Sequence, residues 1–191
     1  STGNYVCAVA SDYDVTESGR CYAFTLRDGV VFHNGAVCTP QDVLYSFQTC
    51  ADTTVDTAVA AALSAVEEIS AKGNVVTIRL QEANNDFLST VANVSIVPEH
   101  YQKQATSPVG TGPFQFVSRS VQENVILEKH EAYYGTPASL DRVTYKIYED
   151  GNALFTALNS GALDLVAHLT SDQVGNLSNG YTVLEGTMNL V

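Results

Sequence analysis

Apolar and polar positions alternate with period two in several short runs, and each run reads as a half-buried strand. Cys21 to Leu26 places Tyr22, Phe24 and Leu26 on one side and Ala23 and Thr25 on the other. Val75 to Leu80 places Val76, Ile78 and Leu80 against Thr77 and Arg79. Phe114 to Ser118, Val125 to Lys129 and Val143 to Tyr148 repeat the pattern. Val66 to Ala71 reads as the first arm of a hairpin that turns at Lys72-Gly73-Asn74 into Val75. Arg27-Asp28-Gly29 predicts a second hairpin, with Val30 to Phe32 as its returning strand, because Asp-Gly tolerates left-handed angles. Tyr5 to Ala10 is a short apolar stretch, either a strand or an incoming segment, and Asp12 to Gly19 reads as turn-rich.

Helix starts are marked by capping residues. Thr39-Pro40-Gln41-Asp42 combines an N-cap, a proline at the first helical position and a capping-box acid, and predicts a helix to about Cys50. Its apolar face carries Val43, Phe47 and Cys50. Asp56 caps a helix through Ala58 to Leu63, and Asn84-Asn85-Asp86 starts a short one over Phe87 to Ala92. A turn of helix follows Glu99. Asp150 caps a helix ended by Gly161, and Thr170 caps another that ends near Gly180. Strands are expected after both, from Leu163 and Leu165 and over Tyr181 to Leu184. The whole predicts a mixed α/β (α+β) protein.

Composition narrows the partners. The chain has 191 residues, 45% hydrophobic and 16% charged, with a formal net charge of −12. Nine Lys and Arg in total leave no basic surface for nucleic acid. No apolar run has the length of a membrane span. The ends, Ser1-Thr2-Gly3-Asn4 and Met188-Asn189-Leu190-Val191, look trimmed and cut in mid-element. Cys7, Cys21, Cys38 and Cys50 form no C-x-x-C pair and have no nearby zinc-like His, so buried free thiols are expected.

Catalytic constellations are missing from the pattern. His33, His100, His130 and His168 are scattered, none at helical ligand spacing and none beside a nucleophile motif. Glu67 and Glu68 are adjacent and would face opposite ways in a strand. Ser107 to Phe116 packs two glycines and two prolines into a bare-backboned loop that feeds a strand. Its glycines, Gly110 and Gly112, allow angles that side chains forbid, and allow close approach of another group. It is neither a P-loop nor a dinucleotide fingerprint, because no Gly-Lys-Ser/Thr follows and a strand, not a helix, comes next.

Four stretches then stand in order. They are Tyr22-Ala-Phe-Thr-Leu-Arg-Asp-Gly-Val-Val-Phe-His-Asn-Gly35, Thr39-Pro-Gln-Asp-Val-Leu-Tyr-Ser-Phe47 and Pro108-Val-Gly-Thr-Gly-Pro-Phe114. The last is Leu127-Glu-Lys-His-Glu-Ala-Tyr-Tyr-Gly135 with Leu140-Asp-Arg-Val-Thr-Tyr145 and Ala157-Leu-Asn-Ser-Gly-Ala-Leu-Asp164. Together they resemble the extracellular solute-binding proteins of ABC importers, in the oligopeptide, dipeptide and nickel class (family 5). The resemblance implies a periplasmic-binding-protein type II-like fold, here part of an N-terminal lobe. It puts an extra subdomain at about residues 20–106 and part of the main α/β lobe at about 107–191, with the second lobe absent. It departs from the family in lacking any Trp where relatives often place one, at Tyr133-Tyr134-Gly135.

The resemblance also implies a function: capture of a peptide or related small solute outside the cell and delivery to a membrane permease by two-lobe closure. No catalysis, cofactor or metal is implied. Nickel complexes or oligosaccharides are the alternative solutes, and an extracellular hydrolase is the alternative class. The location implied is extracellular or periplasmic, membrane-tethered as a lipoprotein in the intact form. Ala92, Asn93, Gly110, Thr111, Gly112, Pro113 and Phe114 are carried over as cleft-facing, while Asp42, Asp141 and Asp164 are expected to cap or to sit on the surface.

Overall fold

The computed structural model describes residues 5–51, 58–178 and 180–184. The expected cap at Asp56 and both chain ends lie outside these residues. The alternation at Tyr22 and Val76 becomes the centre of a four-stranded antiparallel sheet. Its strands are β1 (Ala10–Thr16), β2 (Cys21–Leu26), β3 (Val66–Lys72) and β4 (Val75–Leu80), in the order β1-β2-β4-β3. Tyr22 lies opposite Ile78 and Phe24 opposite Val76. One face of this sheet packs on α1 (Pro40–Cys50), α2 (Ala58–Leu63) and α3 (Phe87–Val91), and the core joins Tyr22, Leu26, Val43, Phe47, Ile78 and Phe87. Val76, Ile78 and Leu80 are fully buried, which is why the period-two signal is clean in β4.

Two readings of this region are corrected. Asp12 to Gly19 is not turn throughout: Ala10–Thr16 is strand β1, and the turn is confined to Thr16 to Arg20, with Glu17, Ser18 and Gly19 at positive φ. β1 is an edge strand, so its Asp and Thr side chains meet water without cost. Asp28-Gly29 does not return the chain as a hairpin. Gly29 takes the left-handed angle, φ +74°, but β2 pairs with β1 and β4, and Val31 only bridges Val37. Asn74 provides the reason. Its carbonyl accepts from Leu26 N–H at 2.9 Å and its amide donates to the Leu26 carbonyl at 2.6 Å, which occupies the end of β2. Tyr5 to Val9 is an incoming segment without strand structure.

The first long helix forms as its cap predicts. The Thr39 hydroxyl accepts from Asp42 N–H, and Asp42 Oδ2 accepts from Thr39 N–H at 2.8 Å. Asp42 Oδ1 also takes Glu99 N–H at 3.0 Å, and buried Ser46 accepts from Val97 N–H at 2.9 Å. The start of α1 thus holds the segment that leads to the glycine-proline loop.

Beyond that loop, β5 (Phe114–Ser120), β6 (Asn124–Lys129) and β7 (Arg142–Lys146) form a three-stranded sheet in that order. The chain divides into two compact units, Ser1–Ser118 with Ile126–Thr144, and Arg119–Val125 with Tyr145–Val191. In the second unit Asp150 Oδ1 caps α4 (Gly151–Asn159) by accepting from Asn152 and Ala153 N–H, each at 2.8 Å. Gly161, at φ +75°, ends α4 in a Schellman motif: Gly161 N–H donates to Leu158 and Ala162 N–H to Ala157. Thr170 caps α5 (Ser171–Gly175) with Gln173 completing the box, and Gln173 Nε2 donates to the Gly151 carbonyl at 3.0 Å. α5 therefore stops five positions before Gly180. The strands expected at Leu163 and Leu165 and at Tyr181 to Leu184 do not form. No ladder partner stands beside either among the described residues, and Leu165 and Leu184 are more than 80% exposed.

Candidate functional site

The loop from Ser107 to Pro113 is fastened from several sides by residues of its own unit. Tyr101 donates its hydroxyl to the Ser107 carbonyl at 2.7 Å. The Gln104 side-chain amide embraces Val109: it accepts from Val109 N–H and donates to the Val109 carbonyl, both at 2.8 Å. His33 N–H donates to the Gly110 carbonyl at 2.9 Å, and Gly110 N–H donates to His33 Nδ1 at 3.2 Å. The other ring nitrogen, Nε2, lies 3.0 Å from the Gly112 carbonyl. His130 Nδ1 reaches the same carbonyl at 3.3 Å, and His130 N–H donates to Pro113 at 2.9 Å.

The two histidines read as scattered are thus brought together, edge to face, with ring centroids 4.9 Å apart. His130 is buried. Burial holds the His33 imidazole below its usual value, the bond to Gly112 pulls the other way, and His130 adds to the lowering. The pair leaves no metal or catalytic spacing in the sequence, because these rings serve backbone groups. The signal available was their place within the ordered stretches, His33 after Phe32 and His130 after Lys129.

The loop glycines do not use the left-handed freedom open to them. Neither Gly110 nor Gly112 has positive φ. A Cβ on Gly110 would meet only His33 Cε1, at an ordinary 3.8 Å, and one on Gly112 would meet nothing within 4 Å. The chain's own packing therefore leaves the bare backbone open on that side. Gly110, Thr111, Gly112 and Phe114 are half-buried and Pro113 is exposed.

Ala92 and Asn93 lie elsewhere in the same unit, at the end of α3. Ala92 N–H donates to Leu88 at 3.0 Å, and the Asn93 side chain donates to the Ser89 carbonyl at 2.7 Å. Both are exposed, and no hydrogen bond among the described residues joins them to the loop. Ala92 borders an apolar cavity of about 220 Å³ walled by Tyr13, Phe24, Phe47, Leu88 and Val91. Asp42 is a cap, and Asp141 and Asp164 are exposed.

Tyr134 packs against Tyr133 with the rings tilted and their centroids 4.6 Å apart, and the Arg27 guanidinium sits 5.6 Å over the Tyr134 ring. Burial first, then Tyr133, pushes the Tyr134 hydroxyl up to about 12. All four cysteines are free, Cys21 buried and the others half-buried. Among the described residues no group of three or more His, Cys, Asp and Glu could hold a metal ion. No helix among them is long and apolar enough to cross a membrane.

Residues 4–187 match the family of bacterial extracellular solute-binding proteins, family 5. The chain belongs to that family. Its members are binding proteins and not enzymes, which sets aside the hydrolase alternative. Protein XP55 of Streptomyces lividans is 33% identical over 159 residues, covering 78% of this chain and 29% of that protein. DppA of Helicobacter pylori, solved with the peptide STSA, is 27% identical with a TM-score of 0.78, covering 89% of this chain and 39% of that one. A nickel ABC transporter protein of Bacillus halodurans is 28% identical, also with a TM-score of 0.78, covering 90% of this chain and 36% of that one. The chain thus spans about a third of the length of these relatives. Its mixed α/β structure matches that share of the family fold.

Proposed function

We propose that this chain forms one wall of the ligand cleft in the substrate-binding component of an ABC importer, capturing peptides outside the cell. The observation that carries this reading is the likeness to the H. pylori protein solved with a peptide, at 27% identity over 89% of the chain. On this reading the fold is of the periplasmic-binding-protein type II, and the chain is part of its N-terminal lobe with the extra subdomain. Ligand is held by closure of this lobe on a second one, delivered to a membrane permease, and released without chemistry. Open backbone at Gly110 to Phe114, with Ala92 and Asn93, would face the cleft. The protein is extracellular or periplasmic, tethered through a lipid in its intact form.

The likeness to the nickel protein favours a second solute, a nickel complex. With no three-ligand group among the described residues, the chelator and not this chain would hold the metal. An oligosaccharide is a third solute of the same class. Isothermal titration of the whole protein with short peptides, a nickel–histidine complex and oligosaccharides separates them. Micromolar or tighter binding of peptides alone is the expected result, and silence toward every peptide rejects the reading. Tight peptide binding by this chain in isolation rejects the one-wall arrangement.

A further inference from the structure

We propose that His33 and His130 are positioning residues that latch the Gly110–Pro113 loop, and that the latch releases when neutral His33 takes up a proton. The hydrogen bonds fix the protonation state of His33. Gly110 N–H donates to Nδ1, so that nitrogen carries no proton. Nε2 therefore carries it and donates to the Gly112 carbonyl. Only one neutral tautomer makes both bonds, and His33 N–H adds a third to the Gly110 carbonyl.

A proton reaching His33 can land only on Nδ1. It turns the acceptor into a donor that faces the Gly110 N–H, so that bond is lost and replaced by repulsion. It also places a positive charge on a half-buried ring against a second imidazole 4.9 Å away. His130 differs. Its Nδ1 reaches the Gly112 carbonyl and its backbone N–H donates to Pro113, so among the described residues no loop N–H relies on its ring as acceptor. Release is thus routed through His33, and His130 sets how readily it occurs.

Few other charges bear on the pair. Ser107 to Phe116 contains no ionisable side chain, and Val30 to Val37 contains none besides His33. Of the charges flanking His130 in sequence, Lys129 and Glu131 pair with each other at 3.2 Å, and Lys129 reaches Asp141 at 3.8 Å. The latch stands on this geometry alone; its consequence for solute affinity rests on the cleft-facing reading of the loop.

The test is nitrogen NMR on the whole protein labelled at histidine and glycine, with exchange protection of the Gly110 amide followed from about pH 8 to about pH 5. At the upper end His33 is expected as the Nε2–H tautomer, with Gly110 protected. On acidification protection is expected to fall at least about tenfold, with the midpoint of the His33 titration. His33→Asn keeps an acceptor near the Nδ1 position and does not ionise, so its Gly110 protection is expected to stay flat. His130→Gln is expected to raise the His33 midpoint. The Nδ1–H tautomer at His33, protection indifferent to its titration, or an unchanged midpoint in His130→Gln overturns the latch. If His33→Asn fails to fold, the wild-type tautomer and protection profile still decide. Peptide affinity measured alongside separates the two readings: flat affinity beside a pH-dependent Gly110 sinks the cleft-facing loop and leaves the latch standing.

Discussion

His33 and His130 meet edge to face over one acceptor, the carbonyl of Gly112, at 3.0 and 3.3 Å. A carbonyl with two lone pairs can serve both rings, and each ring is oriented by what its neighbour leaves free. The glycine-proline loop owes its course to this node and to the Gln104 amide on Val109.

Stability should therefore depend on pH through His33. Its folded value lies below the usual 6.5, chiefly because of burial. Between the two values the unfolded chain binds the proton and the folded chain does not, so stability rises with pH there. The His33 contribution is complete above about pH 6.5 and is lost as pH falls through the window toward the depressed value. Urea midpoints of wild type and His33→Asn should diverge on this schedule. A difference between them that stays constant from about pH 8 to about pH 5 would show that His33 does not titrate as described.

Among the described residues of the first unit, Asp42 is the most heavily used carboxylate, taking Thr39 N–H, the Thr39 hydroxyl and Glu99 N–H. Asp42→Ala removes the capping box and frees the segment at Glu99. A loss of about 1–2 kcal/mol is expected, read from the urea midpoint at unchanged slope. A loss below about 0.3 kcal/mol would mean that the cap contributes nothing measurable.

Such caps were legible in the sequence because they are local. Thr39 with Asp42, Asp150 and Thr170 each act within four residues, and each forms as read. Tyr22 and Val76 were legible for a related reason: a strand buried on one face prints a period-two pattern. What failed was long-range. The partner of β2 is β4, which enters at Asn74, distant in sequence from Leu26, and nothing near Asp28-Gly29 announces it. β1 failed because an edge strand keeps its charges in water and so looks like a turn. The His33–His130 node was invisible because its meaning is geometric: two rings far apart in sequence share one backbone oxygen. The openness of Gly112 was equally unreadable, since a glycine looks the same whether the fold or a partner needs its bare backbone.

Gly161 closes α4 in the left-handed region, at φ +75°. A Cβ there meets no neighbour within 4 Å, so a substitution is penalised through the backbone alone. Gly161→Ala is expected to lower stability by about 1 kcal/mol, and Gly161→Asn by less, because Asn tolerates this conformation better. The order Asn above Ala in thermal midpoint checks the mechanism; the reverse order contradicts it.

Cys38 offers a chemical readout of burial. Its thiol is pushed up to about 12, first by burial and then by Asp42. At about pH 8 the thiolate fraction is then on the order of one in ten thousand, and the thiolate is the nucleophile. Iodoacetamide should leave Cys38 unmodified in the native protein and alkylate it in urea, as followed by peptide mass spectrometry. Native labelling at the rate of a free cysteine would rule out the burial seen here.

Gln104 is the sharpest test of how the loop is held, because its amide has one acceptor and one donor in use on the same residue. Gln104→Ala leaves both polar groups of Val109 without their partner, and Val109 is buried. The expected loss is about 1–3 kcal/mol. Gln104→Glu keeps the acceptor for Val109 N–H but points a second carboxylate oxygen at the Val109 carbonyl. The isosteric change should therefore cost about as much as the truncation near neutral pH. It should recover part of that cost in acid, where a protonated carboxyl again supplies a donor. Urea midpoints of the two variants at about pH 7 and about pH 4.5 read this directly. Recovery confined to Gln104→Glu supports the paired embrace, whereas equal pH profiles for both variants would mean that only the Val109 N–H bond matters.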